Sequence, residues 1–255
     1  MLAHLLAELP DSPRWLETRA ILRSPHVTMY GGEDGYVVRL VHGAISVVAI
    51  VGRPSVDAIA SAIEGITSMT PILAQSDNAD HVERSLHAPA SSGQPAESWT
   101  RERVILHRLT SSPALARAAV DQTFEIRLLT RGDDLDHLPP GLRHEITHAR
   151  EMAPIAAAFV GGRPVSFCYP VWTTESMWDV SIDTLPEYRR RGLAAHATRF
   201  MTGHMRREGR EPIWAALESN VPSRRLAARL GFTPVDENVA FSRGPWAFLS
   251  GGFTG

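Results

Sequence analysis

The sequence predicts an α/β protein of two domains: a smaller α/β domain over 1–120, a larger one over 121–246, and a tail at 247–255. Three observations lead there. Short runs rich in Val, Ile and Ala alternate along the chain with segments whose apolar residues recur at helical spacing. A length of 255 residues fits one large or two modest domains. Ser111-Ser112-Pro113 breaks the series near its middle, placing the boundary near 112–122.

In the first half, helices are expected over Met1–Leu9 and Asp11–Arg23. Asp11 and Ser12 suit the N-cap and Pro13 the first turn. Gly31–Asp34 reads as a turn, and Tyr36–Leu40 and Ala44–Val51 as strands joined around His42-Gly43. Pro54–Ile66 reads as a helix, with Val56, Ile59, Ala60, Ile63 and Ile66 near helical spacing. A strand at Pro71–Ala74 and a helix at Asp77–Leu86 follow. His87–Ser98 has no periodicity and reads as a loop, Arg103–Leu109 as a strand, and Ala114–Asp121 as a connecting helix. No catalytic signature lies in this half.

The second half is more regular. Phe124–Leu129 reads as a strand, and Asp133–Arg150 as one or two helices broken near Pro139-Pro140. Ile155–Val160, Val165–Trp172 and Met177–Thr184 read as three strands, the first two joined by a Gly161-Gly162-Arg163 hairpin turn. Gly192–Arg207 reads as a helix with Leu193, Ala197, Phe200, Met201 and Met205 on its apolar face, and Gly209 ends it. A strand at Pro212–Leu217, a helix at Pro222–Leu230 and a strand at Phe232–Ser242 complete the order, before a Gly-rich tail at Gly244–Gly255.

Composition excludes several classes. Hydrophobic residues are 44% and charged residues 21%, values of a globular chain rather than a disordered one. No apolar run is long enough for a transmembrane helix, and Met1–Pro10 lacks the basic start and cleavage site of a secretory signal. One cysteine, Cys168, rules out a disulfide framework, and with these features a cytoplasmic setting is expected. The net charge of −2 speaks against nucleic acid as a partner. The chain has no lysine, a usage that fits a GC-rich, bacterial genome. The 11 histidines show no metal-ligand spacing, so no metal is expected.

The charges are uneven. Residues 186–230 hold ten arginines against four acids, Glu187, Glu208, Glu211 and Glu218. A solvated basic face is the ordinary reading of such a run. Here it coincides with Asp183–Ala194 (DTLPEYRRRGLA), where a strand ends and a helix begins at glycine. The first turn of a helix has N–H groups without partners. Gly192 and Ala194 permit close approach to them, and Arg189, Arg190 and Arg191 add positive charge, an arrangement suited to a pyrophosphate.

Arg189-x-x-Gly192-x-Ala194 resembles the Arg/Gln-x-x-Gly-x-Gly/Ala signature of the GCN5-related N-acetyltransferase (GNAT) superfamily. Asn220-Val-Pro-Ser223 through Leu226, Leu230, Gly231 and Phe232 resembles that family's Asn-x-x-Ser/Ala…Gly-Phe segment. The resemblance covers about 123–243 and is nearest to bacterial members with an extra N-terminal α/β domain, somewhat like glycine N-acyltransferases. It implies a mixed, mostly antiparallel sheet flanked by helices, with Met177–Thr184 splaying from Pro212–Leu217. It further implies acetyl-CoA or another short acyl-CoA as cofactor. The pantetheine arm would lie along Ile182 and Thr184, with the pyrophosphate at Arg190, Arg191, Gly192, Leu193 and Ala194, assisted by Arg189. Asn220 would contact the pantetheine or a water, Ser223 belongs to the same segment, and Arg224 would reach the phosphates. The implied reaction is direct attack of an amine on the thioester. Many members place a Tyr just after the position of Leu226, as proton donor to the leaving thiolate. Ala227 stands there, which leaves donation to water or Ser223, or weakens turnover.

A general base is then required. Glu218, at the end of its strand, is the first candidate, against a solvated acid or a partner for Arg225. Asp179 and Asp183 alternate with Ser181 along one strand and are the next, against hydrogen bonding to nearby turn amides. Glu175 is a fourth. Cys168 reads as a small buried hydrophobe rather than a nucleophile. Tyr169, Trp172 and Trp178 line an acceptor pocket or pack the core, and Trp99 is a candidate anchor for the N-terminal domain. That domain completes the acceptor site, is a degenerate duplicate of the same fold, or makes an oligomer surface, a homodimer among the options. The expected activity is acetyl transfer to a primary amine of a small molecule. Acylation of a protein or an aminoglycoside-like antibiotic, and an acyl-CoA sensor that has lost turnover, remain rivals.

Overall fold

A computed structural model of the chain describes residues 2–42, 45–88, 98–111 and 123–244. The expected boundary near 112–122, the connecting helix at Ala114–Asp121, the His42-Gly43 turn and the tail after 244 fall wholly or partly outside the described residues. The described residues form two compact units, one within 1–106, 216–220 and 235–249, the other within 107–215 and 221–234.

The first unit opens with helices α1 (Leu2–Glu8) and α2 (Leu16–Leu22), with a one-turn 3-10 helix at Pro13–Trp15 between them. The expected helix from Asp11 is thus shortened. Ser12 has extended backbone, and its side chain makes no cap hydrogen bond. Strands β1 (Val27–Gly32), β2 (Gly35–His42) and β3 (Ile45–Gly52) form an antiparallel meander. The sequence reading left β1 out, because VTMYGG is partly exposed and ends in the glycines read as a turn. Helix α3 (Val56–Ile63) starts at Ser55, whose hydroxyl accepts from the Ala58 N–H at 3.2 Å. It leads into β4 (Ile72–Gln75), which pairs parallel to β3. Helix α4 (Ala79–Leu86) and strand β5 (Thr100–Leu109) follow. Asn78 ties the ends of two strands together, its amide accepting from the Gln75 N–H at 3.0 Å and donating to Gly52 O at 2.8 Å. The core of this unit joins Val37, Val48, Ile50, Ile59, Ile72, Val82 and Phe241. Trp99 belongs to that core, with the Arg243 guanidinium 4.9 Å from its ring centre.

The second unit contains β6 (Phe124–Leu128), helix α5 (Pro140–Met152), β7 (Ala156–Val160) and β8 (Arg163–Tyr169). Residues 133–139 are not helical, because Pro139 and Pro140 start the helix there. The Gly161-Gly162 turn joins β7 and β8 as an antiparallel hairpin, both glycines having positive φ. Met177–Thr184, expected as one strand, is two: β9 (Met177–Asp179) and β10 (Ser181–Thr184). Helix α6 (Leu193–Arg207), strand β11 (Glu211–Leu217), helix α7 (Val221–Arg229) and strand β12 (Phe232–Ser242) complete the order. Sheet order here is β10-β8-β7-β6, all antiparallel, while β9 pairs parallel to β11. Its core joins Leu142, Ile146, Ile155, Phe159, Phe167, Tyr169 and Leu193. In the first unit, the later half of β12 pairs antiparallel to β4 through Asn238–Phe241.

Candidate functional site

The break between β9 and β10 arises from a change of partner. The pairing of β9 with β11 ends at Asp179 opposite Ile213, and the Val180 N–H makes one more bond, to Ile213 O at 2.9 Å. From Ser181 onward the strand pairs only with β8, and the Leu185 N–H donates to Val165 O at 3.0 Å. Backbone N–H groups alternate between the two edges of a strand. Ile182 and Thr184, in step with Val180, therefore direct theirs to the edge that β11 has left. Ser181 and Asp183, in step with Leu185, direct theirs to β8. The Thr184 carbonyl faces the same open edge, where it accepts from Arg189 Nε at 3.1 Å.

The turn after β10 is built on unusual backbone. Arg190 has φ 61, the one non-glycine with positive φ among the described residues. Gly192, the N-cap of α6, has φ 84 and ψ −3. Left-handed backbone at a bulky residue is held only where its surroundings enforce it. The first turn of α6 contains no acid, while its last turn holds His204, Arg206 and Arg207. Positive charge thus complements the C-terminal end of the helix dipole, and the first turn carries no acid of its own. Arg189, Arg190, Arg191 and Gly192 are all exposed, and the Arg191 guanidinium lies 5.2 Å from the Tyr188 ring centre. Leu193 is buried and anchors the turn, whereas Ala194 is half-buried. These features fit a pyrophosphate: exposed cations, first-turn amides that lack intrahelical partners and a position without Cβ.

The acids do not form one cluster. Asp179 Oδ1 accepts from the Val171 and Trp172 N–H groups at 2.8 and 2.6 Å. That is the turn-amide reading of this residue, and it arises because β9 ends there. Asp183 is buried on β10, and its Oδ2 accepts from the Tyr169 hydroxyl at 2.8 Å. Burial, then the charge of Glu145, pushes the Asp183 carboxyl up to about 7, against the bond from Tyr169 and the charge of Arg189. Glu218 is exposed in the first unit and pairs with Arg103 at 3.3 Å. Glu175 is exposed.

The second sequence block divides between the units, Asn220 with the first, Ser223 and Arg224 with the second. The Asn220 N–H donates to Leu217 O at 3.0 Å, turning the chain into α7. The Ser223 hydroxyl accepts from Trp214 Nε1 at 2.9 Å. Arg224 is half-buried on α7, and Ala227 is fully buried. Trp178 is fully buried and packs the core, while Trp172 is half-buried.

Cys168 is fully buried opposite Ile182 on β8. Burial pushes its thiol up to about 12, despite a hydrogen bond with Thr198. A thiol so rarely ionised is a poor nucleophile. Cys168→Ala is expected to keep acyl-transfer activity within about twofold while costing on the order of 1 kcal/mol from the lost side chain. Thiol-release kinetics check this, and total loss of activity in the folded variant would instead point to a covalent intermediate.

Sequence reasoning missed Glu145, whose Oε1 lies 2.8 Å from the Tyr169 hydroxyl oxygen. Its position on α5 gave no signal, because the contact depends on how α5 packs over β8.

A strand pair that parts just before an arginine-rich turn and a glycine-capped helix is the layout that the resemblance to acyl-CoA-dependent N-acyltransferases implies. Residues 156–241 match the GNAT acetyltransferase family model. The whole fold is similar to that of a GCN5-related N-acetyltransferase-like protein from Streptococcus suis, at 14% identity and TM-score 0.66, covering 94% of this chain and 96% of that one. A GCN5-related N-acetyltransferase from Kribbella flavida is similar at 14% identity and TM-score 0.57, covering 97% of each chain. A tandem GNAT protein from the clavulanic acid biosynthesis pathway is similar at 14% identity and TM-score 0.55, covering 96% of this chain and 93% of that one. No curated protein matches the sequence. Among the described residues, no helix is long and apolar enough to cross a membrane, and no group of His, Cys, Asp and Glu could hold a metal.

Proposed function

We propose that the protein moves an acetyl or other short acyl group from acyl-CoA to the primary amine of a small molecule, by direct attack of the amine on the thioester. The observation that carries this is the parting of β10 from β11 immediately before the Arg189–Ala194 turn. In this reading the N–H groups of Ile182 and Thr184, directed to the open edge, receive the pantetheine amides. Arg189, Arg190 and Arg191 and the amides from Gly192 to Ala194 hold the pyrophosphate. Ser223 and Arg224, of the same unit, extend the site, and Asn220 is kept as the candidate that the resemblance implies. Acyl-CoA supplies the thioester, and backbone donors near β10 stabilise the charge that develops on its carbonyl oxygen.

The N-terminal unit is proposed as a degenerate duplicate of the catalytic fold. Strands β2 and β3, helix α3, parallel strand β4 and helix α4 repeat the order of β8, β9 with β10, α6, parallel β11 and α7. The turn before α3 reads Gly52-Arg53-Pro54-Ser55, without the arginine-glycine signature, so this unit is assigned no cofactor site. The small-molecule acceptor in this proposal rests on the presence of this additional unit.

Calorimetry with acetyl-CoA, and free CoA for comparison, tests the reading. Binding with a Kd on the order of micromolar is expected, followed by thiol release when an amine panel is added. Absence of binding overturns the proposal. Binding without thiol release for any amine favours a sensor, the reading that buried Ala227 would support.

A further inference from the structure

Tyr169 stands between two carboxyl groups. Its hydroxyl oxygen lies 2.8 Å from Glu145 Oε1 and 2.8 Å from Asp183 Oδ2. A phenol carries one proton and an ionised carboxylate carries none. One proton cannot make both bonds. The second contact is a hydrogen bond only if one carboxyl is protonated and donates to the phenol oxygen. The three groups together therefore hold one proton more than the phenol's own.

Their environments differ in a directed way. Tyr169 is 1% exposed and Asp183 4% exposed, whereas Glu145 is an exposed residue of α5 whose Oε1 reaches the buried Tyr169 hydroxyl. The cluster thus runs from the interior of β10, through β8, to solvent. Burial raises Glu145, and the bond with Tyr169 opposes that rise. Burial, then the two carboxyl charges, holds the Tyr169 phenol well above its ordinary value, so it stays protonated and passes protons without carrying charge. Besides Glu145, the charged group acting on Asp183 is Arg189. The neighbouring residues Cys168 and Ile182 point to the opposite face of the sheet, where Thr198 of α6 meets Cys168.

We propose that Asp183, Tyr169 and Glu145 form a proton relay that receives the proton leaving the acceptor amine and delivers it to solvent at Glu145. This rests on the acyl-transfer reading above. The step starts with Asp183 ionised, Tyr169 donating to it and Glu145 protonated. The amine nitrogen forms the amide C–N bond, and the C–S bond breaks with its electron pair going to the CoA sulfur. An N–H bond breaks as an O–H bond forms on Asp183, directly or through one water. Glu145 loses its proton to solvent, and the Tyr169 hydroxyl turns from Asp183 to Glu145. The cluster resets when Asp183 protonates the phenol oxygen while Tyr169 hands its proton to Glu145. One proton has then passed from amine to solvent, where the thiolate regains one. Asp183 is the catalytic residue, and Tyr169 and Glu145 act through it.

Infrared titration of the full chain, read beside thiol-release kinetics, tests this. All variants, and the wild-type relay they are compared with, carry Glu17→Gln, because the buried Glu17 carboxyl is itself pushed up to about 7 and would give the same band. The wild-type relay is expected to show a protonated carboxyl that persists to neutral pH. In Glu145→Gln the amide donates to the phenol oxygen and Tyr169 donates to Asp183. The repelling charge is gone, so the carboxyl titration moves to lower pH. In Tyr169→Phe the bond that favours ionised Asp183 is lost, and the titration moves to higher pH. The acid limb of the pH–rate profile moves in the same opposite directions. Both variants lose kcat by about 100-fold, the scale of one acid–base group, with KM for acetyl-CoA within about twofold. A wild-type relay without a protonated carboxyl at neutral pH overturns the shared proton. Unchanged kcat and pH profile in Glu145→Gln, an exposed helical position that tolerates the change, overturns the relay even if Tyr169→Phe misfolds. No thiol release from the wild type overturns the transfer reading and the relay's use together, while the infrared band still decides the shared proton on its own.

Discussion

Gly192→Asp is expected to lower acetyl-CoA affinity by about 100-fold or more, on the order of 3 kcal/mol, without unfolding the protein. Gly192 caps α6 with φ 84, a conformation that Asp tolerates better than most residues. Asp is also a favoured N-cap, and its carboxylate would bond the first-turn N–H groups. The helix itself is therefore preserved. The same carboxylate then occupies the donors proposed for the pyrophosphate and repels its charge. Calorimetry and thermal unfolding together check this. Gly192→Ala separates the contributions, since it adds backbone strain of about 1 kcal/mol or more but no charge, and should lose less affinity. Unchanged binding in Gly192→Asp would remove the turn from the site.

The turn was readable because its chemistry is local. A glycine at a helix start, arginines beside it and small residues after it are adjacent in sequence, and the structure adds only the left-handed backbone of Arg190 and Gly192. The order of strands and helices in the second unit was readable for the same reason, since each follows from its own periodicity. Three features were not. Strand β1 pairs with β2 although much of it is exposed, so no apolar alternation announces it. The break at Val180 follows from β8 and β11 competing for one strand, a contest between segments about 40 residues apart that no local pattern records. The acids were ranked by position along the strands, and their partners reorder them. Asp179 is held by turn amides, Glu218 faces Arg103, and Asp183 meets a phenol and a second carboxyl from α5. Side-chain partners brought together by packing are the part of a site that spacing does not encode.

The same limit explains Glu17, an acid that α2 carries into the core of the first unit. Its neighbours on that helix, Leu16, Thr18, Arg19, Ile21 and Leu22, are buried as well. Arg19 does not serve as its partner through the bonds it makes to the backbone, donating instead to the carbonyls of Leu6 and Leu9. Glu17 Oε2 is buried without a hydrogen-bond partner. Burial pushes the Glu17 carboxyl up from 4.5 to about 7, against a backbone hydrogen bond that lowers it. The folded state therefore binds this proton more tightly than the unfolded chain does. Stability from this group is fully present below pH 4.5, falls as pH rises, and is lost above about 7. A shift of that size corresponds to about 3 kcal/mol at most. Glu17→Gln removes the charge and keeps the shape. It is expected to match the wild type near pH 4 and to exceed it in denaturant midpoint at pH 8, with a flatter pH dependence between. Urea unfolding followed by tryptophan fluorescence at several pH values checks this. Equal midpoints at pH 8 would mean that Glu17 is not held in an apolar environment when ionised, and that α2 yields or admits water to accommodate it.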